Sequence, residues 1–542
     1  MKVSCSKIIK FYGPPGTGKT TALASYTYNL VANRNYTFYP AVLCVSFIRS
    51  AVWSLKEKFS QVGLRLRSNQ FRTLHSLCYD ALNHLYKNSL KDRLVTEKDI
   101  AGYFIEKGYG FSLSDLDEDY YSDKLGNKIY KFIERVRHTW DGQSNFLLHF
   151  RRFYEKEKEN FCFDLDYDFV LKEYHEFNQF LQDKFDHTKL LLEVLKYPKC
   201  LDIFHGDVLV IDEAQDLTLL EWSVLKELMK NFEIIIVAGD DDQAIYTFTG
   251  TDPGLFLGLK GQEYILNTSY RLSSAVCEKA KKLISLNKKR KAKEFKAIKQ
   301  GGEVIELASF ALYECIRRAV EENKTVFLLC RNHVFVKWHA KRLYSLGIPF
   351  TYLDKKSVVP SWAKPMKNLI TFRQCGKIDY SDFLNLFSTI KDRLKKLVGV
   401  KDIGAKVLQD VYDLLLKKKS FPKNEVSKKL YEIFITRDVD DLFYDYTDRT
   451  YYSFWKSNVF DLESWLNPKV YIGTIHKAKG LETDKVFIDL RVTREVFLNM
   501  YQSEDNLESE RRVFYVAMTR ARDEVYFFAF KHRYIFTECF YL

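Results

Sequence analysis

Gly13, Gly18, Lys19 and Thr20, within GPPGTGKT, fall at the spacing G-x-x-x-x-G-K-[ST] directly after the apolar run KIIKFY. Glycines let successive backbone N–H groups converge on phosphate oxygens, and a helix opening at the end of the loop adds the positive end of its dipole. Lys19 then reaches the β- and γ-phosphates, and Thr20 offers its hydroxyl to Mg2+. The expected nucleotide contacts are Gly13, Pro14, Gly16, Thr17, Gly18, Lys19, Thr20 and Thr21.

A second apolar run, DVLVIDEAQD, ends in Asp212 and Glu213. Apolar residues fix a strand in a sheet, and the acids leave at its carboxyl end, where open α/β sheets bind ligands. There Asp212 holds Mg2+ through its water shell, which makes Thr20 and Asp212 the expected metal ligands. Glu213 orients and deprotonates the attacking water. A lone Asp-Glu pair is otherwise a helix cap, and the amphipathic TLLEWSVLKELM does follow. Beside a phosphate loop the catalytic reading is the better one, and the chain reads as an NTPase. A third stretch, GDDDQAIYTFTG at residues 239–250, follows the strand-like FEIIIVA. It places three mutually repelling carboxylates, Gln243, Tyr246 and Phe248 on one short loop, a combination that a plain turn has little use for.

Three separated strand-loop sites require a chain with several cores, and 542 residues supply two to four domains. The formal charge of +13 is concentrated: residues 281–300 hold nine Lys/Arg against one acid, and residues 391–430 hold twelve against five. Such segments attract polyanions by displacing condensed counterions, or else form solvated helix faces. Aromatics make up 15% of residues, which suits stacking on single-stranded bases, although most Phe and Tyr must be ordinary core. The ten cysteines are scattered with no CxxC, which argues against a zinc or iron–sulfur site and for reduced thiols in a cytosolic protein. No apolar run is long enough to span a bilayer and no signal-peptide pattern opens the chain, so a cytoplasmic location without a membrane partner is expected.

GDDDQAIYTFTG resembles the third motif of the UvrD/Rep/PcrA-type superfamily 1A DNA helicases, and further motifs of that family follow in order along nearly the whole chain. VLCVSFIRSA (42–51) resembles motif Ia, RTLHSL (72–77) motif Ib, DEAQD motif II and LNTSYRLSS (266–274) motif IV. VFLLCRNH (326–333) is similar to the LYRSN stretch, GTIHKAKGLE (473–482) to motif V and ERRVFYVAMTRAR (510–522) to motif VI.

The resemblance implies roles. Gln243 senses the γ-phosphate, since its amide can donate or accept. Tyr246 and Phe248 stack on bases, so one loop touches nucleotide at one end and DNA at the other. Asp240 to Asp242 tie that loop to neighbouring donors and to the Mg2+ surroundings. Tyr270 stacks adenine, Glu482 contacts ribose, and Arg271 and Arg520 are arginine fingers on the transferring phosphoryl group. Phe47, Thr73, His75, Thr474 and His476 match positions that contact the single strand; Arg331 is either a further strand contact or a structural ion-pair partner.

It also implies an α/β fold of two RecA-like P-loop NTPase domains, each with a largely helical insertion. The first core comprises 1–80 and 200–262, with strands near 7–12, 42–47, 207–212 and 233–239; its insertion is 81–199, helical in stretches such as RFYEKEKENF. The second core comprises 263–375 and 466–542, with strands near 326–330, 485–490 and 524–530. Its insertion, 376–465, is short for the family and contains GVKDIGAKVLQDV. There Ile403-Gly404 is similar to a turn that meets the duplex backbone, or is an ordinary helix–turn–helix packing element.

Departures from the family pattern are expected to matter. Only twelve residues precede Gly13, which leaves no room for the upstream glutamine that reads adenine, so selectivity for ATP over other nucleotides is open. The short second insertion predicts activity as a monomer. The expected function is an ATP- and Mg2+-dependent helicase that moves 3′→5′ on single-stranded DNA and unwinds duplexes, binding single strands and their junctions with duplex. The alternatives are a translocase on single-stranded DNA or RNA that strips proteins without unwinding, and a partner-binding module whose NTPase regulates assembly.

Overall fold

The inner strands of the first sheet are short runs rich in Val, Ile and Leu that are buried on both faces, as parallel strands between helices must be. In the computed structural model its order is β3-β2-β4-β5-β1-β6, with β1 Lys7–Tyr12, β2 Val42–Ser46, β3 Phe71–Thr73, β4 Gly206–Asp212, β5 Phe232–Gly239 and β6 Gln262–Ile265. Each of its pairings is parallel. One face packs Ile9, Phe11, Cys44, Val210 and Ile236 against the helices Lys19–Asn33 and Arg49–Gln61. The other packs Tyr12, Val45, Ile211 and Val237 against Leu74–Leu85, His187–Lys196 and Leu219–Met229. This arrangement leaves the chain after β1, β2, β3, β4 and β5 at one edge of the sheet, where the motif residues lie.

The structure describes residues 7–33, 41–47, 49–113, 124–158, 165–354, 358–416, 424–443, 455–457 and 461–540. Ile48 of VLCVSFIRSA and residues 159–161 of RFYEKEKENF lie outside them.

Between β3 and β4 the chain forms helices that include Glu97–Glu106, Leu125–His138, Phe146–Glu157 and Tyr167–Phe180. Two aromatic cores hold them, one around Phe104, Ile133 and Phe177, the other around Phe132, Phe150 and Val170. A small pair, β7 Thr268–Ser273 with β8 Lys296–Lys299, precedes the second sheet. That sheet runs β10-β13-β14-β9, again parallel, with β9 Glu303–Glu306, β10 Val326–Cys330, β13 Thr483–Asp489 and β14 Ala521–Phe528. The helix Glu504–Met518 is buried along most of its length.

The chain divides into two compact units, Met1–His339 with Gly473–Leu542, and Ala340–Ile472. The second contains β11 Phe350–Tyr352 in parallel register with residues 470–472 of β12, Val470–Thr474. Its helices Ala363–Cys375, Tyr380–Val398, Ala405–Leu415 and Glu425–Thr436 share a core of Leu386, Ile390, Val411, Leu430 and Phe434. Within it Gly399 ends the long helix with φ of 77°, and Ile403 is buried in the core. Lys401 and Lys406 flank that turn in solvent. No helix among the described residues is long and apolar enough to cross a membrane.

Candidate nucleotide and nucleic-acid site

The phosphate loop is held from below by a bond from Gly13 N to Gly239 O (3.1 Å) and closed on itself by Thr17, whose N and Oγ1 both donate to Pro14 O. Gly16 and Gly18 adopt φ of 73° and 74°, which a side chain would resist. Lys19 Nζ lies 3.2 Å from Gly13 O and 3.9 Å from Glu213 Oε1. Thr20 Oγ1 donates to Asp212 Oδ2 at 3.0 Å, while Thr21 faces solvent.

Asp212 is pushed up to about 7, by burial first and by the Glu213 charge second. Glu213 is held below its ordinary range; burial opposes this, but Lys19 and then Lys479 outweigh it. Glu213 has φ of 55° and ψ of 40°, a left-handed conformation unusual for a non-glycine residue and one that aims its carboxylate toward Lys19. A hydroxyl and a buried carboxylate that lacks full charge compensation, 3.0 Å apart, form a donor set that fits a hydrated divalent cation.

The motif III loop is anchored at both ends. Gln215 Oε1 accepts from Asp240 N at 2.9 Å, and Gln215 Nε2 donates to Glu213 Oε2 at 2.7 Å. Gln243 donates from Nε2 to Asp240 Oδ2 (2.7 Å) and accepts at Oε1 from Arg520 Nη2 (3.1 Å). The three acids are explained by cations from the basic segment. Lys293 Nζ, fully buried, sits 2.8, 2.5 and 2.9 Å from Asp240, Asp241 and Asp242, and Arg290 grips Asp242 with two bonds. Lys291 pairs with Glu263. The expectation that residues 281–300 attract polyanions is corrected to this extent: its central cations neutralise the protein's own acids, because three buried carboxylates in a row require partners.

From β7, Ser269 Oγ and Tyr270 N donate to Pro15 O and Gly16 O, each at 2.9 Å. A Cβ on Gly16 would lie 2.5 Å from that of Arg271. The Tyr270 ring is 70% exposed, open for stacking. Arg271 Nε pairs with Glu482 Oε2 at 2.5 Å, and Arg522 holds the same carboxylate. Burial, then the neighbouring Arg271, push Arg520 down to about 9. Lys19, Glu213, Gln243, Arg271 and Arg520 are therefore brought to one cleft.

Sequence reasoning missed Lys479, whose only signal was its place inside HKAKGLE. Its Nζ bonds both Asp216 oxygens (2.5 and 2.7 Å) and Gln243 O (2.6 Å) and lies 4.9 Å from the Tyr246 ring centre.

Of the expected strand contacts, Tyr246, Phe248 and His476 gather, with ring centres 5.4–6.2 Å apart. Phe248 opens onto a cavity of about 1170 Å³ also lined by Arg135, Arg152, Lys156, Lys288 and Lys289. Thr474 is buried at the end of β12, next to Ile475, whose N bonds Cys330 O. Phe47 packs half-buried on the first core. Thr73 caps the helix Leu74–Leu85 by accepting from Ser76 N. His75 meets the His187 ring at 5.5 Å, and burial followed by His187 pushes it down to about 4. Arg331 pairs with Glu510, Nε and Nη2 each lying 2.7 Å from it, and also lines the cavity beside Phe248.

A phosphate loop and an acid pair on one RecA-like sheet, facing Arg271 from the β7–β8 pair and Arg520 from the residue before β14 of a second sheet, define a P-loop NTPase. Residues 3–263 match the UvrD/REP helicase N-terminal domain and residues 373–532 the UvrD-like helicase C-terminal domain. The chain belongs to the UvrD/Rep/PcrA family of DNA helicases. It is similar to a probable DNA helicase II homolog of Mycoplasma capricolum, 25% identical over 97% of this chain and 82% of that protein. It is likewise similar to the putative ATP-dependent DNA helicase YjcD of Bacillus subtilis, 23% identical over 94% and 75% of the two chains. The Rep helicase of Buchnera aphidicola is 22% identical over 59% of this chain and 61% of its own.

Proposed function

We propose that the chain is an ATP-driven motor that moves 3′→5′ on single-stranded DNA and unwinds duplex ahead of it, acting as a monomer. The observation that carries this reading is the continuity of one loop: Gln243 holds Arg520 at the nucleotide end, and Tyr246 and Phe248 pack with His476 at the cavity end. A change in the bonding of Gln243 moves the aromatic end of the same loop, because only two residues separate it from Tyr246.

In this reading the first core is 1–80 with 200–262 and the second 263–375 with 466–542, while 81–199 and 376–465 are insertions. Lys19 and the loop residues Gly13, Pro14, Gly16, Thr17, Gly18, Thr20 and Thr21 hold the phosphates, and Tyr270 and Glu482 hold the nucleoside. Thr20 and Asp212 hold Mg2+, which when bound neutralises phosphate charge. Glu213 takes the proton of the attacking water, and Arg271 and Arg520 stabilise charge developing on the phosphoryl group. Closing the cleft on nucleotide and reopening it shifts the cores along the strand, with bases passing the Tyr246–Phe248–His476 cluster.

The test is ATP turnover with and without DNA and RNA homopolymers, followed by unwinding of duplexes with 3′ or 5′ tails. Stimulation by DNA and opening of 3′-tailed duplexes only is expected. Turnover indifferent to nucleic acid would reject the motor. Stimulation without unwinding, alongside displacement of bound protein, would reassign it as a stripping translocase.

A further inference from the structure

The last turn of the helix Leu125–His138 faces two places at once. Arg135 and Thr139 line the cavity beside Phe248. His138, beside Thr139 on that turn, points at the segment following motif II: its Nδ1 is 3.2 Å from Thr218 Oγ1 and its Nε2 is 3.1 Å from Thr188 Oγ1. Thr218 is two residues from Asp216, the carboxylate gripped by Lys479, and forms a β-bridge with Thr251 just beyond motif III. Gly250, at φ of 95°, passes so close beneath this turn that a Cβ would lie 2.9 Å from Thr139 Cγ2 and 3.5 Å from His138 Cβ. One imidazole thus stands where the helical insertion, motif II and motif III converge.

Proton accounting makes this contact a two-state element. Thr218 Oγ1 donates its proton to Glu221 Oε2 at 3.0 Å, so it can only accept, and His138 must carry hydrogen on Nδ1. Nε2 of the neutral ring then needs a donor. Thr188 has one proton for two acceptors, Glu134 Oε2 at 2.6 Å and His138 Nε2 at 3.1 Å. Whichever partner takes it, the other loosens. Glu134 is in turn bound to Arg137, which bridges to Asp186 with bonds of 2.7 and 3.0 Å. Burial, followed by His75 and Arg137, pushes His138 down to about 3, which keeps the ring neutral and the contest unresolved.

We infer that His138 is a positioning residue that couples strand occupancy of the Phe248 cavity to the catalytic carboxylates, acting through Thr218. A strand pressing on Arg135 and Thr139 shifts the helix end, Thr188 exchanges its acceptor, and His138 reseats Thr218 and with it the DEAQD segment. This rests on the functional reading above, in which a single strand fills the cavity. Coupling requires an element with two arrangements biased by both sites, and the shared Thr188 proton supplies one.

The experiment compares the wild type with His138→Leu, His138→Gln and Thr188→Val in ATP turnover with and without poly(dT), in poly(dT) affinity, and in thermal unfolding. His138→Leu is expected to keep unstimulated turnover, KM for ATP and poly(dT) affinity, while stimulated kcat falls roughly tenfold, within the range that inter-site coupling spans. His138→Gln, whose amide can donate and accept, restores part of the stimulation, and Thr188→Val loses it in the same direction, with thermal unfolding checking that the fold survives the loss of the Glu134 bond. Wild-type stimulation in both His138→Leu and Thr188→Val overturns the inference alone. Equal losses of unstimulated turnover, affinity and stimulation in both also overturn it, in favour of a purely structural role. A wild type indifferent to poly(dT) overturns the functional reading itself.

Discussion

Gln243 Oε1 accepts a hydrogen bond from Arg520 Nη2 at 3.1 Å, so an amide on the loop after β5 holds the guanidinium just ahead of β14. The bond orients a buried cation whose charge burial opposes, and in the proposed reading it preorganises that cation for the phosphoryl group. Arg520→Ala is expected to lower kcat by about 10³-fold, the lower range for an arginine finger, with nucleotide affinity little changed. Gln243→Ala, which frees the arginine without removing it, should cost less, and the double variant should cost little more than Arg520→Ala. Single-turnover hydrolysis together with nucleotide titration checks this; additive losses would mean that the two residues act separately.

Lys293 is enclosed by Asp240, Asp241 and Asp242. Lys293→Met leaves buried carboxylates without their cation and should destabilise by about 3–5 kcal/mol. Asp241→Asn in the Lys293→Met background should recover part of that loss, a coupling that urea unfolding of the four species measures directly. Equal stability of Lys293→Met and wild type would remove the structural reason for three consecutive acids.

Glu221 closes a capping box, accepting from Thr218 N and Oγ1, yet it is pushed up to about 7 because burial outweighs those bonds. Between its ordinary 4.5 and about 7 the folded chain binds more protons than the unfolded one. The contribution of Glu221 is therefore fully present below 4.5 and lost as pH rises through 7, amounting to about 3 kcal/mol. Glu221→Gln preserves the box and removes the titration. Its unfolding free energy relative to wild type should rise from pH 5 to pH 8, and a flat difference would contradict the assignment.

Lys19→Ala and Glu213→Gln should abolish turnover and unwinding while strand binding persists. Phe248→Ala should do the reverse, retaining unstimulated hydrolysis and losing most of the stimulation, because a stacking face is worth roughly 1–3 kcal/mol per base. Appreciable turnover in either of the first two, or undiminished stimulation in the third, would count against these roles.

Local spacing made the phosphate loop, DEAQD and the motif III loop legible from sequence, and the runs expected to be strands are β1, β2, β4, β5, β10, β13 and β14 within a few residues. Short edge strands such as β3 and β9 escaped notice, because three or four half-exposed residues carry no periodic signal. What the sequence hid was pairing at long range. Lys293 meets Asp241 across 52 positions and Lys479 meets Asp216 across 263, so neither appears as a pattern. A run of lysines has the same composition whether it meets DNA or the protein's own acids. Thr73 and Arg331 show the converse: a residue type suited to strand contact can also serve the fold as a helix cap or an ion pair.

The phosphate loop is gripped from outside as well as from within, since Pro15 O and Gly16 O each accept a hydrogen bond from the neighbouring strand, from Ser269 Oγ and Tyr270 N. In the proposed reading, spent nucleotide leaving Lys19 would have to pass this interlock in the polypeptide itself. On that reading the pace of such a machine would be governed by how often that seam parts, and a variant that loosened Ser269 would idle faster while gripping its fuel less well.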